Sequence, residues 1–180
     1  MKNLYLDILR RREFMLSILS KEILVQNERA ILNELCRMAE KRGLLGVEYD
    51  GRVSSGYEFE TTKEELEGMT TCDWRKFFRT LEERDKLKIT TCWVVRYDDN
   101  GIHKFHRDKR MNTHRWIISL GCMGKEFWLR CSDGQVRHKL CHGSVVIMNK
   151  NTSGNKSGMQ HSGKGNAGRS WAVIIETQPM

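Results

Sequence analysis

The sequence predicts an α+β protein in which an antiparallel β-sandwich or barrel follows a helical N-terminal segment. Apolar residues recur at helical spacing in the early part of the chain. From Lys88 the period switches to short β-branched and aromatic runs separated by Gly, Asn and Asp turn signals. The chain has 180 residues, 39% of them hydrophobic and 30% charged, which suits one domain with its own core rather than a disordered chain.

Residues 3–42 read as helix, in two pieces. Leu4, Ile8, Leu9 and Phe14 begin a broad apolar face. The second helix has Asn27 as N-cap, then Ala30, Ile31, Leu35 and Met38, and Gly43 closes it. Residues 44–60 change character: Val47 and Tyr49 alternate, Asp50-Gly51 signals a hairpin turn, and Val53, Tyr57 and Phe59 follow. Thr62 and Glu65 have capping-box spacing. Asp73 caps a further helix with Trp74, Phe77, Phe78 and Leu81 on one face. Strands follow at KITTCWVVRY, IHKFHRD, RWIISLG, KEFWLRC, VRHKL, GSVVIM and RSWAVIIET, with turns at DDNG and SDG. Between Asn149 and Gly168 the Gly/Ser/Asn/Lys-rich composition predicts a long loop, which is expected to carry His161. The expected organisation is a helical extension over 1–90, with a possible substrate lid, and a β core over 91–180.

No apolar run reaches the roughly 20 residues that span a bilayer. Asp7 and Arg10–Arg12 interrupt the N-terminus too early for a signal peptide, so an intracellular location, cytoplasmic or nuclear, is expected. The six cysteines contain no C-x-x-C pair and are expected as reduced, mostly buried thiols. Cys122, Cys131 and Cys141-His142 do not have the spacing of a closed zinc site. Charge is unevenly placed. Residues 1–91 carry 17 Lys/Arg against 17 Asp/Glu, and residues 92–180 carry 14 against 6, so the whole net charge of +8 sits on the second half. Such a field attracts polyanions, nucleic acid first among them.

The chemistry concentrates in that half. On a strand, residues two apart share a face, so His106 and Asp108 of HRD would project together. A second histidine far downstream, His161, would complete a two-His-one-carboxylate triad of the kind that leaves positions open on Fe(II). Arg169, eight residues on, opens the last strand and could meet a dicarboxylate through bidentate bonds. H-x-D alone is a weak signal; its context gives it weight.

In order and spacing, VVRY, HRD, WIISLG, EFWL, HGSVVIM, MQHS and RSWAVII resemble the AlkB-like Fe(II)/2-oxoglutarate dioxygenases, over about residues 91–177. The resemblance implies a double-stranded β-helix (jelly-roll) core and oxidative demethylation of N-methylated bases in RNA or DNA. It implies Fe(II) on His106, Asp108 and His161, and 2-oxoglutarate held by Arg169 and Tyr97. A target base would have to be single-stranded or flipped out. Arg107, Lys109, Arg110, Arg115, Lys150, Lys156 and Lys164 are the candidate nucleic-acid contacts. The chain departs from the family pattern at three places. Ile175 stands where a second arginine is usual, Val95 where an asparagine is frequent, and Arg110 where an acid commonly helps to recognise the base. These departures keep two alternatives in view: a 2-oxoglutarate oxygenase acting on a protein or small molecule, and a non-catalytic RNA-binding jelly roll.

Overall fold

The computed structural model describes residues 14–17, 28–44, 55–107, 114–121, 125–131, 134–148, 160–165 and 169–180. Its elements are β1 (Phe14–Ser17), α1 (Glu28–Lys41), β2 (Gly56–Thr61), α2 (Lys63–Glu67), α3 (Trp74–Asp85), β3 (Leu87–Tyr97) and β4 (Ile102–His106). Then come β5 (His114–Gly121), β6 (Lys125–Cys131), β7 (Gly134–Leu140), β8 (Val145–Met148), β9 (Gln160–Lys164) and β10 (Ser170–Pro179). A six-stranded sheet has the order β1-β8-β5-β10-β3-β2, and a four-stranded sheet the order β4-β9-β6-β7. The strands pair antiparallel throughout both sheets. This is the jelly-roll arrangement expected from the sequence.

The middle strands of the larger sheet, β5, β8 and β10, are buried on both faces, which explains why they read as near-continuous apolar runs. On β10, Trp171, Val173 and Ile175 join a core with the helices, while Ala172 and Ile174 join a second core drawn from both sheets. Helix α1 contributes Ile31, Leu35 and Ala39 to the first core, and α3 contributes Trp74, Phe77, Phe78 and Leu81. The start signals act as predicted. Thr62 Oγ1 accepts from the Glu65 backbone N–H at 3.1 Å, and the Glu65 carboxylate accepts from the Thr62 N–H at 3.2 Å. Asp73 accepts from the Lys76 N–H at 3.0 Å. Asn27 and the Asp50-Gly51 turn lie outside the described residues.

Two expectations are corrected. Phe14–Ser17, expected in a helix, is a strand paired with Val145–Met148. Four mostly apolar residues carry no decisive period, and the unpaired edge of β8 offers a full set of backbone partners. The stretch expected to be one long loop contains β9, inserted between β4 and β6. Its residues QHSGK lack apolar alternation. Backbone pairing on both sides, rather than side-chain burial, makes them a strand. The N-terminal half therefore supplies β1 and β2 to the larger sheet, besides its helices. Tyr57 and Phe59 of β2, within the segment expected to hold a substrate lid, are core residues. Tyr49 lies outside the described residues.

Candidate metal and oxo-acid site

The site is built by a register shift. His103 of β4 pairs with Gly163 of β9, and His106 pairs with His161. Between these pairs two residues of β4, Lys104 and Phe105, stand opposite one of β9, Ser162. That extra residue is a bulge. Without it, His103 and His106 would face opposite sides. With it, both histidines share the face of His161. Ser162, buried, donates to the His103 carbonyl at 2.7 Å and ties the irregular stretch to β9. The imidazoles gather closely: His103 and His106 stack with centroids 4.3 Å apart, and His106 and His161 lie 4.2 Å apart.

These rings line a cavity of about 110 Å³, together with Glu58, Trp93, Arg115, Ile117 and Ile174. Its contents come from both sheets, so it opens inside the jelly roll. Each residue's state follows from its surroundings. His106 Nδ1 donates to the Lys104 carbonyl at 2.7 Å. A carbonyl can only accept, so a neutral His106 keeps its lone pair on Nε2, the tautomer suited to a metal. His161 is held well below its ordinary pKa, first by burial and then by the charges of His106, Arg115 and His103. It is therefore neutral, as a ligand must be. His103 Nε2 stands 3.8 Å from a Glu58 carboxylate oxygen.

Arg115 was expected on a nucleic-acid face. It instead turns into the barrel and forms an ion pair with Glu176 of β10, the two side chains being 12% and 0% exposed. Its guanidinium also lies 5.8 Å from the centre of the Trp93 ring. Arg107 is exposed and Lys164 half-buried. Lys109, Arg110, Lys150 and Lys156 lie outside the described residues, and so does Asp108.

The two residues expected to hold an oxo acid sit elsewhere. Tyr97 is buried under β9, where a Cβ on Gly163 would come within 2.6 Å of the tyrosine hydroxyl. Only glycine tolerates so close an approach there. Burial pushes the Tyr97 phenol well above its ordinary pKa. Arg169 is 56% exposed, with Nε 3.5 Å from Asp98, a carboxylate that also accepts from Arg96 at 2.8 Å. Neither residue lines the cavity.

Residues missed in the sequence are His103, Glu58, Glu176 and Lys125. Lys125 is 2% exposed, donates to the Trp171 carbonyl at 2.7 Å and lies 4.5 Å from the centre of the Tyr97 ring. The pattern H-x-x-H at His103–His106 was a signal, but strict strand alternation argues against it, and only the bulge reconciles the two. Lys125 shares the inward parity of Phe127 and Leu129, and Glu176 follows the continuous apolar run of β10.

The donor set fits a divalent transition metal in part. Two imidazole nitrogen donors stand side by side from paired strands, in a cavity with room for further ligands. Among the described residues, no three His, Cys, Asp or Glu side chains are gathered at metal-holding spacing. Among the same residues, no helix is long and apolar enough to cross a membrane.

No protein-family model matches the chain, and no curated protein matches it. Solved structures do. A prolyl-4-hydroxylase from Pseudomonas putida superposes over 100% of both chains at 13% identity, with a TM-score of 0.62. The viral collagen prolyl hydroxylase vCPH from Paramecium bursaria Chlorella virus-1, a 2OG complex, matches 94% of this chain and 97% of its own at 12% identity, with a TM-score of 0.57. HygX from Streptomyces hygroscopicus, with nickel and 2-oxoglutarate bound, matches 97% of this chain and 86% of its own at 8% identity, with a TM-score of 0.57. At such identities the likeness is one of fold.

Proposed function

We propose that the chain is an Fe(II)/2-oxoglutarate-dependent oxygenase that hydroxylates a protein side chain or a small molecule. The observation that carries this reading is the pairing of His106 with His161 across β4 and β9, inside the jelly-roll cavity. Asp108, two residues beyond His106, is the carboxylate proposed as third ligand. Bound there, iron and 2-oxoglutarate would supply the oxidising power to put oxygen into a C–H bond. The chain's own part is positional. His106 offers Nε2 because Lys104 holds its Nδ1 proton. His161 stays neutral through burial. Trp93, Ile117 and Ile174 form the apolar wall of the cavity.

The three solved structures of like fold support this choice of substrate class, since two are named prolyl hydroxylases. A second reading, demethylation of N-methylated bases in RNA or DNA, is favoured by the charge asymmetry of the second half. It loses one expected contact, because Arg115 is taken up inside the barrel.

The test is succinate formation with Fe(II), 2-oxoglutarate and ascorbate, on proline-containing peptides, a small-molecule panel and a methylated single-stranded RNA. Mn(II) binding is measured alongside. His161→Ala and Asp108→Ala are expected to weaken Mn(II) binding by at least about 10- to 100-fold and to abolish turnover. Stimulation by a peptide or small molecule supports the main reading. Stimulation only by the methylated RNA moves the assignment to demethylation. A wild-type chain that binds neither metal nor 2-oxoglutarate refutes both and leaves a non-catalytic jelly roll.

A further inference from the structure

We propose that Arg115, braced by Glu176, is the cation that receives the distal carboxylate of the 2-oxo acid, the part that sequence spacing assigns to Arg169. The inference rests on the proposed oxygenase reading and names the anchor within that site.

Position in the fold decides between the two arginines. Ile174 of β10 lines the cavity, and Arg169 precedes it by five residues. At strand spacing this is about 16 Å. A five-carbon dicarboxylate measures about 6 Å from end to end by ordinary covalent geometry. Arg169 is 56% exposed and does not line the cavity that holds His106 and His161. Arg169 is moreover engaged at the β3–β4 turn, where Asp98 binds it and Arg96 together. Arg115 lines the same cavity as the histidines. It is the one arginine or lysine among the described lining residues.

The cavity also has the right capacity. At about 110 Å³ it holds roughly seven to ten water-sized sites, enough for a small acid. The guanidinium is fixed in direction, which matters for a bidentate contact. The fully buried Glu176 carboxylate pairs with it, and the Trp93 ring lies beside it. A planar fork with five N–H donors can pair with one carboxylate along one edge and meet a second along another. Glu176 is thus a positioning residue: it neutralises the buried charge at rest and aims the guanidinium. Apolar Ile117 and Ile174 nearby keep the seat poor in water and strengthen a charge-assisted bond.

The test is calorimetric binding of 2-oxoglutarate to the Mn(II)-loaded chain. The variants are Arg115→Gln, Arg115→Lys, Arg169→Gln and the double change Arg115→Gln with Glu176→Gln. The double variant removes both charges and keeps amide partners in place, so the fold survives for the measurement. 2-Oxobutyrate, with the same keto-acid end but no distal carboxylate, is the comparator ligand. Expected is a loss of 2-oxoglutarate affinity on the order of 10- to 100-fold in the double variant, smaller in Arg115→Lys. 2-Oxobutyrate binding should change less than about 2-fold in the same variants, and Arg169→Gln should bind 2-oxoglutarate like wild type. Unchanged 2-oxoglutarate affinity in the double variant, or a loss confined to Arg169→Gln, overturns the assignment while the oxygenase reading stands. A wild-type chain that binds metal but not 2-oxoglutarate overturns both.

Discussion

Replacing Arg115 alone should cost far more stability than replacing Arg115 and Glu176 together. Glu176 is fully buried and Arg115 nearly so, so solvent screening does not weaken their pair. Arg115→Met strands a carboxylate at the interface of β5 and β10, where Glu176 is in register with Arg115. Breaking a buried pair this way costs about 3–5 kcal/mol. For a chain of this size, each kcal/mol lowers the melting temperature by about 2–4 °C, so a fall on the order of 10 °C is expected. Arg115→Met with Glu176→Leu removes both charges and fills similar volume. It should stay within about 1–2 kcal/mol of wild type, because the desolvation cost of both ions disappears with their attraction. Urea denaturation followed by tryptophan fluorescence measures this. Equal losses in the single and double variants would refute the idea that Glu176 is an uncompensated charge without its partner.

Four further outcomes follow from the same structure. Trp171→Ala removes a fully buried ring at the centre of the larger sheet and should cost about 3–5 kcal/mol in urea denaturation. Gly163→Ala drives a Cβ to 2.6 Å from the Tyr97 hydroxyl and should cost about 1–3 kcal/mol, largely restored by Tyr97→Phe, which deletes the clashing oxygen. Thr62→Ala opens the capping box of α2 and should cost about 1 kcal/mol, measured as a shift in urea midpoint. Burial pushes the Cys72 and Cys92 thiols up to about 12, so the folded chain holds their protons more tightly than the unfolded one. Stability from this source is full below the ordinary thiol range and is lost as pH rises toward 12. Native-state labelling at pH 8 should therefore spare both thiols, and Cys92→Ala should flatten the alkaline loss of stability.

What could be read from the residues follows a physical line. Capping signals, the face of α3 and the runs of β3, β5, β6 and β10 are local properties, and a short window of sequence holds all the information needed. β1 and β9 are not local in that sense. FMLS and QHSGK become strands because β8 offers an edge to one, and β4 and β6 offer edges to the other. The site divides in the same way. His106 and His161 were visible as a spacing, and their side chains do share a face in the structure. His103 was hidden by the very rule that made HRD legible, since a period of two puts His103 and His106 on opposite faces until a bulge intervenes. The two arginines separate for a related reason. Arg169 looked suitable because it opens the last strand, but facing and depth depend on the register of β10 against β3 and β5. That register places Ser170 beside Tyr97 and Gly121, and Glu176 opposite Arg115, at the histidine end of the strand. A buried carboxylate on β10 there requires a buried cation on β5, and the one it obtains also lines the cavity. Complementary charges inside a barrel thus carry site information that neither strand displays alone. An inward-facing Arg–Glu pair in register on adjacent strands is the feature that separates Arg115 from the surface cations.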